Sequence, residues 1–175
     1  DFGATLERWI APLFEAQPAV FDRGRDRILR AAAARLADVG ATLHPDQRDE
    51  LMFDLVLRAP FAAINHPERT FLAAAIHHRY TKEEPANSEA YERLLSEEQR
   101  AASAALGAAL RLGADISGRA RTILDDFALT MERGVLTLSY KANRAHLVTE
   151  QATKRLEPLA AILGVECQIV SGLRR

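Results

Sequence analysis

The sequence predicts a mainly α-helical protein that ends in a small α+β element. Three observations predict it. Apolar residues recur at helical spacing as far as Gly118, and the pattern then changes to period two. Pro and Gly punctuate the segments at positions that suit helix starts and exits. We therefore expect a helical domain over residues 1–120 and a small element of ββαβ order over residues 121–175. A chain of 175 residues is ample for one core, with or without a small appendage.

Residues 5–17 place Leu6, Trp9, Ile10, Leu13 and Phe14 on one helical face. Pro12 requires either a later start or a kink, and Pro18 ends the segment. A second helix is expected over 20–39, with Ile28, Leu29, Ala32, Leu36 and Val39 as its buried stripe. Its alanines permit close approach of another helix. Gly40 opens an exit, and His44-Pro45-Asp46 reads as the next helix start. Pro is favoured at the first helical position, and Asp46 suits the positive end of the helix dipole. That third helix, over 45–59, is expected to bury Leu51 and Leu55 with Met52 or Phe53 before Pro60 closes it.

The same device recurs at Asn65-His66-Pro67, ahead of a fourth helix that carries Phe71, Leu72, Ala75 and Ile76 toward His77-His78-Arg79-Tyr80. Residues 81–88, including Pro85 and Asn87, read as an exposed loop, and a short segment around Tyr91 follows. Ser96 and Gln99 have the spacing of a capping box for a fifth long helix that runs to Ile116. Ala101, Ala105, Gly107 and Ala108 make that helix narrow enough for tight packing. After Gly118, residues 127–132 and 135–140 alternate around Arg133-Gly134, which is a hairpin signature. A helix over 149–163, capped by Gly164, and a closing strand over 165–170 complete the chain.

Composition excludes several classes. A hydrophobic fraction of 48% and a formal charge of −1 describe a soluble globular protein, without the strong basic balance of a nucleic-acid binder. One cysteine, Cys167, rules out an intrachain disulfide framework and a cysteine zinc cluster, and fits a reducing cytoplasm. It reads as a small core residue. No apolar run reaches the length of a membrane span and no signal peptide is evident. The chain begins at Asp1 instead of Met, as a piece of a longer protein would.

Three runs carry a resemblance: RLADVGATLHP at 35–45, FAAINHPERTFLAAAIHHRY at 61–80 and AALGAALRLGADISGRAR at 104–121. In this order they resemble the C-terminal region of the exopolyphosphatase and guanosine pentaphosphate phosphatase family, and are most similar to its alphaproteobacterial exopolyphosphatases. The resemblance implies that the 1–120 domain is HD-like. It also implies that terminal phosphate is hydrolysed in N-terminal actin-like domains, which hold a divalent metal such as Mg. No Gly-rich phosphate loop of that kind is present here. The family's helical domain lengthens the polyphosphate-binding surface and helps form a dimer. The implied partners are thus inorganic polyphosphate, the protein's own N-terminal domains and a second copy, with no membrane and no specific nucleic acid.

An HD phosphohydrolase needs His and Asp ligands converging from several helices, because its metal activates water and holds a phosphate. By resemblance, Asp38 matches the Asp of the pair and Asp115 the acidic residue of the last long helix. Ala37 stands where the paired His would be, and Asp49 is the nearest candidate on the following helix. We expect no catalytic residue, metal or cofactor in this chain. The plainer readings make His44 and His66 caps, His77 a solvated residue opposite the Phe71–Ile76 stripe, and His78 a structural hydrogen-bonding group beside it. Asp115 would pair with Arg111 or Arg119, and Asp38 with Arg35 or a neighbouring helix.

Arg30, Arg35, Arg48, Arg79, Lys82, Arg111, Arg119 and Arg121 lie near helix ends around these positions. A linear polyanion is held by a row of cations, and guanidinium groups donate paired hydrogen bonds to phosphate. With His78 they are the candidate polyphosphate-binding residues. Equally, 23 basic against 24 acidic residues could simply solvate helix faces. Three functions remain: a polyphosphate-binding and dimerising domain of an exopolyphosphatase, a ligand-free interaction module, and an autonomous metal-dependent HD phosphohydrolase. The missing His argues against the last.

Overall fold

Helix formation follows the caps that the sequence supplies. In the computed structural model, which describes residues 1–86 and 88–173, the order is α1 Phe2–Glu15, α2 Arg23–Leu36, α3 Arg48–Arg58, α4 His66–His78, α5 Ser88–Leu94, α6 Glu97–Ser117, α7 Arg121–Leu124, β1 Phe127–Glu132, β2 Val135–Tyr140, α8 Glu150–Leu163 and β3 Glu166–Ser171. Short 3-10 turns at Val39–Thr42 and Ala142–Leu147 link α2 to α3 and β2 to α8. The protein is mainly α-helical with a small C-terminal sheet, as the change of periodicity predicts. Asn87, part of the expected loop, lies outside the described residues. Contacts group the chain into two compact units, 19–108 and 1–18 with 109–175.

In the 19–108 unit, α4 is the central element and packs against α2, α3 and α5. Its start is a full capping box: the Glu68 amide donates to Asn65 Oδ1 at 2.9 Å and the Asn65 amide to Glu68 Oε2 at 2.9 Å. Arg25 of α2 donates to the same Glu68 carboxylate at 2.8 Å, and this hydrogen bond holds the Glu68 pKa below its ordinary value. From Thr70 to His78 every residue of α4 is buried. Here the expectation for His77 fails. A helix apolar on all sides has no solvated face, and Ala73, Ala74 and Ala75 let neighbours close around it.

Two stripes are also corrected. α3 starts at Arg48, not Pro45, and buries Met52, Phe53 and Val56, leaving Leu51 and Leu55 48% and 55% exposed. The sequence offers two overlapping i, i+4 rows, and packing selects the one that encloses Phe53. In α2, Leu29, Ala33 and Ala34 are buried, while Ile28 is exposed. Val39 is exposed as well, because α2 ends at Leu36 and the chain turns before reaching it.

In the other unit, Asp1 caps α1, whose Leu6, Trp9, Ile10 and Leu13 are buried. The helix starts at Phe2 and Pro12 lies inside it, so the later start is not the outcome. Trp9 Nε1 donates to the Phe127 carbonyl at 3.0 Å and ties α1 to β1. β1 and β2 pair antiparallel with Glu132 opposite Val135, and Arg133 and Gly134 both adopt positive φ, 50° and 76°, as a tight two-residue turn requires. β3 adds parallel to β2, giving the order β1-β2-β3. Gly164, at φ 67°, ends α8 in the left-handed conformation.

Candidate functional site

The sequence after α2, the first turn of α3 and the last turn of α4 converge within the 19–108 unit. Tyr80 organises them. Its hydroxyl donates to the Ala37 carbonyl at 2.8 Å, and the Arg48 and Arg79 guanidiniums each lie 5.2 Å from its ring centroid. Arg48 Nε and Nη2 donate to the Leu43 carbonyl at 3.3 and 3.0 Å, which fixes the plane of its guanidinium. Arg79 Nη2 lies 3.8 Å from Asp38 Oδ1. Gly40 leaves the space these side chains occupy, since a Cβ would meet Met52 Cγ at 2.6 Å and the Tyr80 hydroxyl at 3.0 Å. Burial raises the Tyr80 phenol pKa, and the Arg79 charge opposes that shift.

Beside this basic cluster is an acidic one. Asp49 and Glu50 occupy the first turn of α3, and one ligand atom from each lies with a His77 ring nitrogen inside a 4.8 Å set. His77 Nε2 is 3.0 Å from the Glu83 carbonyl, and its Nδ1 is 3.7 Å from Glu50 Oε1. Glu50 Oε1 also accepts from the Ala86 amide at 2.9 Å, which orients the carboxylate.

His78 is buried at 6% exposure, its ring tilted on Tyr91 with centroids 6.4 Å apart. Burial, and then the adjacent His77, lower its pKa to about 4. At neutral pH it is an uncharged imidazole.

The other residues singled out from sequence are distributed as follows. Arg30 is buried, Lys82 is exposed, and Arg35 donates to the Ala31 carbonyl one turn back at 3.0 Å. Arg111, Arg119 and Arg121 belong to the unit formed by 1–18 with 109–175. So does Asp115, whose Oδ2 accepts from Arg155 Nε of α8 at 2.7 Å. That partner is distant in sequence, so local spacing pointed to Arg111 or Arg119 instead. His44 and His66 are exposed; Gln47 and Asn65 hold the cap positions. Ala37 is buried, and Asp38 faces Arg79.

The structure thus brings Ala37, Asp38, Arg48, Asp49 and Arg79 into one region. Sequence reasoning missed Tyr80, Glu50 and the burial of His77 there. The signals were present: Glu50 adjoins Asp49, and Tyr80 follows three singled-out residues.

A family described as exopolyphosphatase, C-terminal, matches residues 6–170. No curated protein matches the chain.

Proposed function

This chain belongs to the exopolyphosphatase C-terminal family, and on that premise we propose that it extends an exopolyphosphatase's hold on polyphosphate and joins two copies of the protein. Hydrolysis of the terminal phosphate, with its Mg ion, belongs to N-terminal domains of the full-length cytoplasmic enzyme. The observation that carries the binding role is the Arg48–Tyr80–Arg79 cluster. Two guanidiniums are held against one ring, and Arg48 is partly open to solvent. Orientation before binding reduces the side-chain ordering that phosphate would otherwise impose. Arg35 and Lys82, exposed in the same unit, supply further cations.

Titration with long-chain polyphosphate at 50 and 200 mM salt tests this reading. Neutralising about four phosphates predicts a roughly fifty-fold loss of affinity between the two conditions, by analogy with single-stranded nucleic acid. Arg48→Ala should flatten that salt dependence by about one contact. Phosphate release should stay at background with magnesium or manganese. Absent or salt-insensitive binding would favour the ligand-free interaction module.

The dimer role rests on a different surface. Trp9 and Phe53 belong to the interior, and Phe14 and Phe61 are partly buried. Leu51 and Leu55 instead form an exposed aliphatic pair one turn apart on α3. Sedimentation at tens of micromolar should show a dimer for the parent chain and a monomer for the Leu51→Asp, Leu55→Asp double variant. A parent that is strictly monomeric counts against this role.

A further inference from the structure

We propose that Asp49, Glu50 and His77 bind one first-row divalent transition-metal ion. The argument begins with a buried polar atom. His77 is fully buried, and its Nδ1 has no hydrogen-bond partner. At Nε2 the tautomer is set by the partner: the Glu83 carbonyl at 3.0 Å can only accept, so Nε2 carries the proton. In the neutral ring Nδ1 is then a bare lone pair 3.7 Å from a Glu50 carboxylate oxygen. A buried acceptor left without a donor is costly, and a metal ion satisfies it.

The distances fit coordination better than direct pairing. Nδ1 and Glu50 Oε1 are 3.7 Å apart, too long for a hydrogen bond. Two atoms that each bind a tetrahedral ion at about 2.1 Å stand about 3.4 Å from one another. Asp49 supplies a third donor within the 4.8 Å set, and its half-buried side, like that of Glu50, leaves room for a water ligand. The support around the ligands matches what metal-binding groups use. A backbone carbonyl orients His77 through its second nitrogen, and the Ala86 amide orients Glu50. Arg48 is next to Asp49 in sequence but directs its guanidinium to Tyr80 and the Leu43 carbonyl, so the site keeps its negative charge.

Donor chemistry selects the class of ion. One imidazole and two carboxylates suit zinc and its first-row neighbours; calcium and magnesium prefer oxygen donors throughout. The site is independent of the polyphosphate reading; of the positions the HD resemblance picks out it shares Asp49 but not Ala37, Asp38 or Asp115.

The test is titration of chelator-stripped protein with Zn²⁺, read by calorimetry and by imidazole ¹⁵N chemical shifts. We expect one ion per chain, a shift at His77 Nδ1 and retention of the Nε2 proton. Asp49→Asn and Glu50→Gln, both at partly exposed positions, should each weaken binding at least ten-fold while leaving the unliganded fold unchanged by circular dichroism. No binding at 100 µM Zn²⁺, on the order of a weak adventitious site, would overturn the proposal. So would binding that survives both substitutions and disappears on His44→Ala or His66→Ala.

Discussion

Replacing Gly107 with alanine should destabilise the protein by roughly 2 kcal/mol, which corresponds to a fall in Tm of roughly 4–8 °C for a chain of this size. Gly107 sits where α6 meets α4. An added Cβ would lie 2.5 Å from His78 Cβ, 2.6 Å from the Ala75 carbonyl oxygen and 2.7 Å from the His78 carbonyl carbon. Two of these atoms are backbone, so no rotamer change relieves the contact and the helices must separate. Alanine has the higher helix propensity by about 1 kcal/mol, and the overpacking must exceed that gain to give the stated loss. Valine at the same position should cost more. Thermal melts of the two variants beside the parent decide the matter. A Gly107→Ala protein that melts higher than the parent would show that the interface has room.

A second large effect depends on pH. The imidazole of His78 has a folded pKa of about 4, against about 6.5 when unfolded. Between those values the unfolded chain carries the extra proton. The contribution of His78 to stability is therefore complete above pH 6.5, declines as pH falls toward 4 and changes no further below it. A difference of that size corresponds to roughly 3 kcal/mol. His78→Gln cannot take up that proton, so its urea midpoint should fall much less than the parent's between pH 7.5 and 4.5. Chelator in both samples keeps metal from acting through His77. Parallel slopes for parent and variant would mean that carboxylates alone set the acid sensitivity.

Much of the architecture was legible because it is written locally. Asn65 with Glu68, Ser96 with Gln99, and Thr149 with Gly164 mark helix ends through contacts within a few residues. Arg133-Gly134 fixes the hairpin in the same way, since positive φ at both positions leaves one tight turn. Family resemblance was legible too, in the ordered runs around 35–45, 61–80 and 104–121.

What the tertiary structure alone decided was which of two chemically similar surfaces faces inward. Leu51–Leu55 and Met52–Val56 have the same spacing, and only docking on α4 buries the second. Placing His77 opposite an apolar stripe assumed a solvated face, yet α4 is enclosed on every side. Periodicity describes one helix, whereas enclosure depends on how many neighbours surround it. The candidate site has the same origin. His77 meets Glu50 27 positions earlier, and Tyr80 meets Ala37 43 positions earlier, through helix packing that no local spacing encodes.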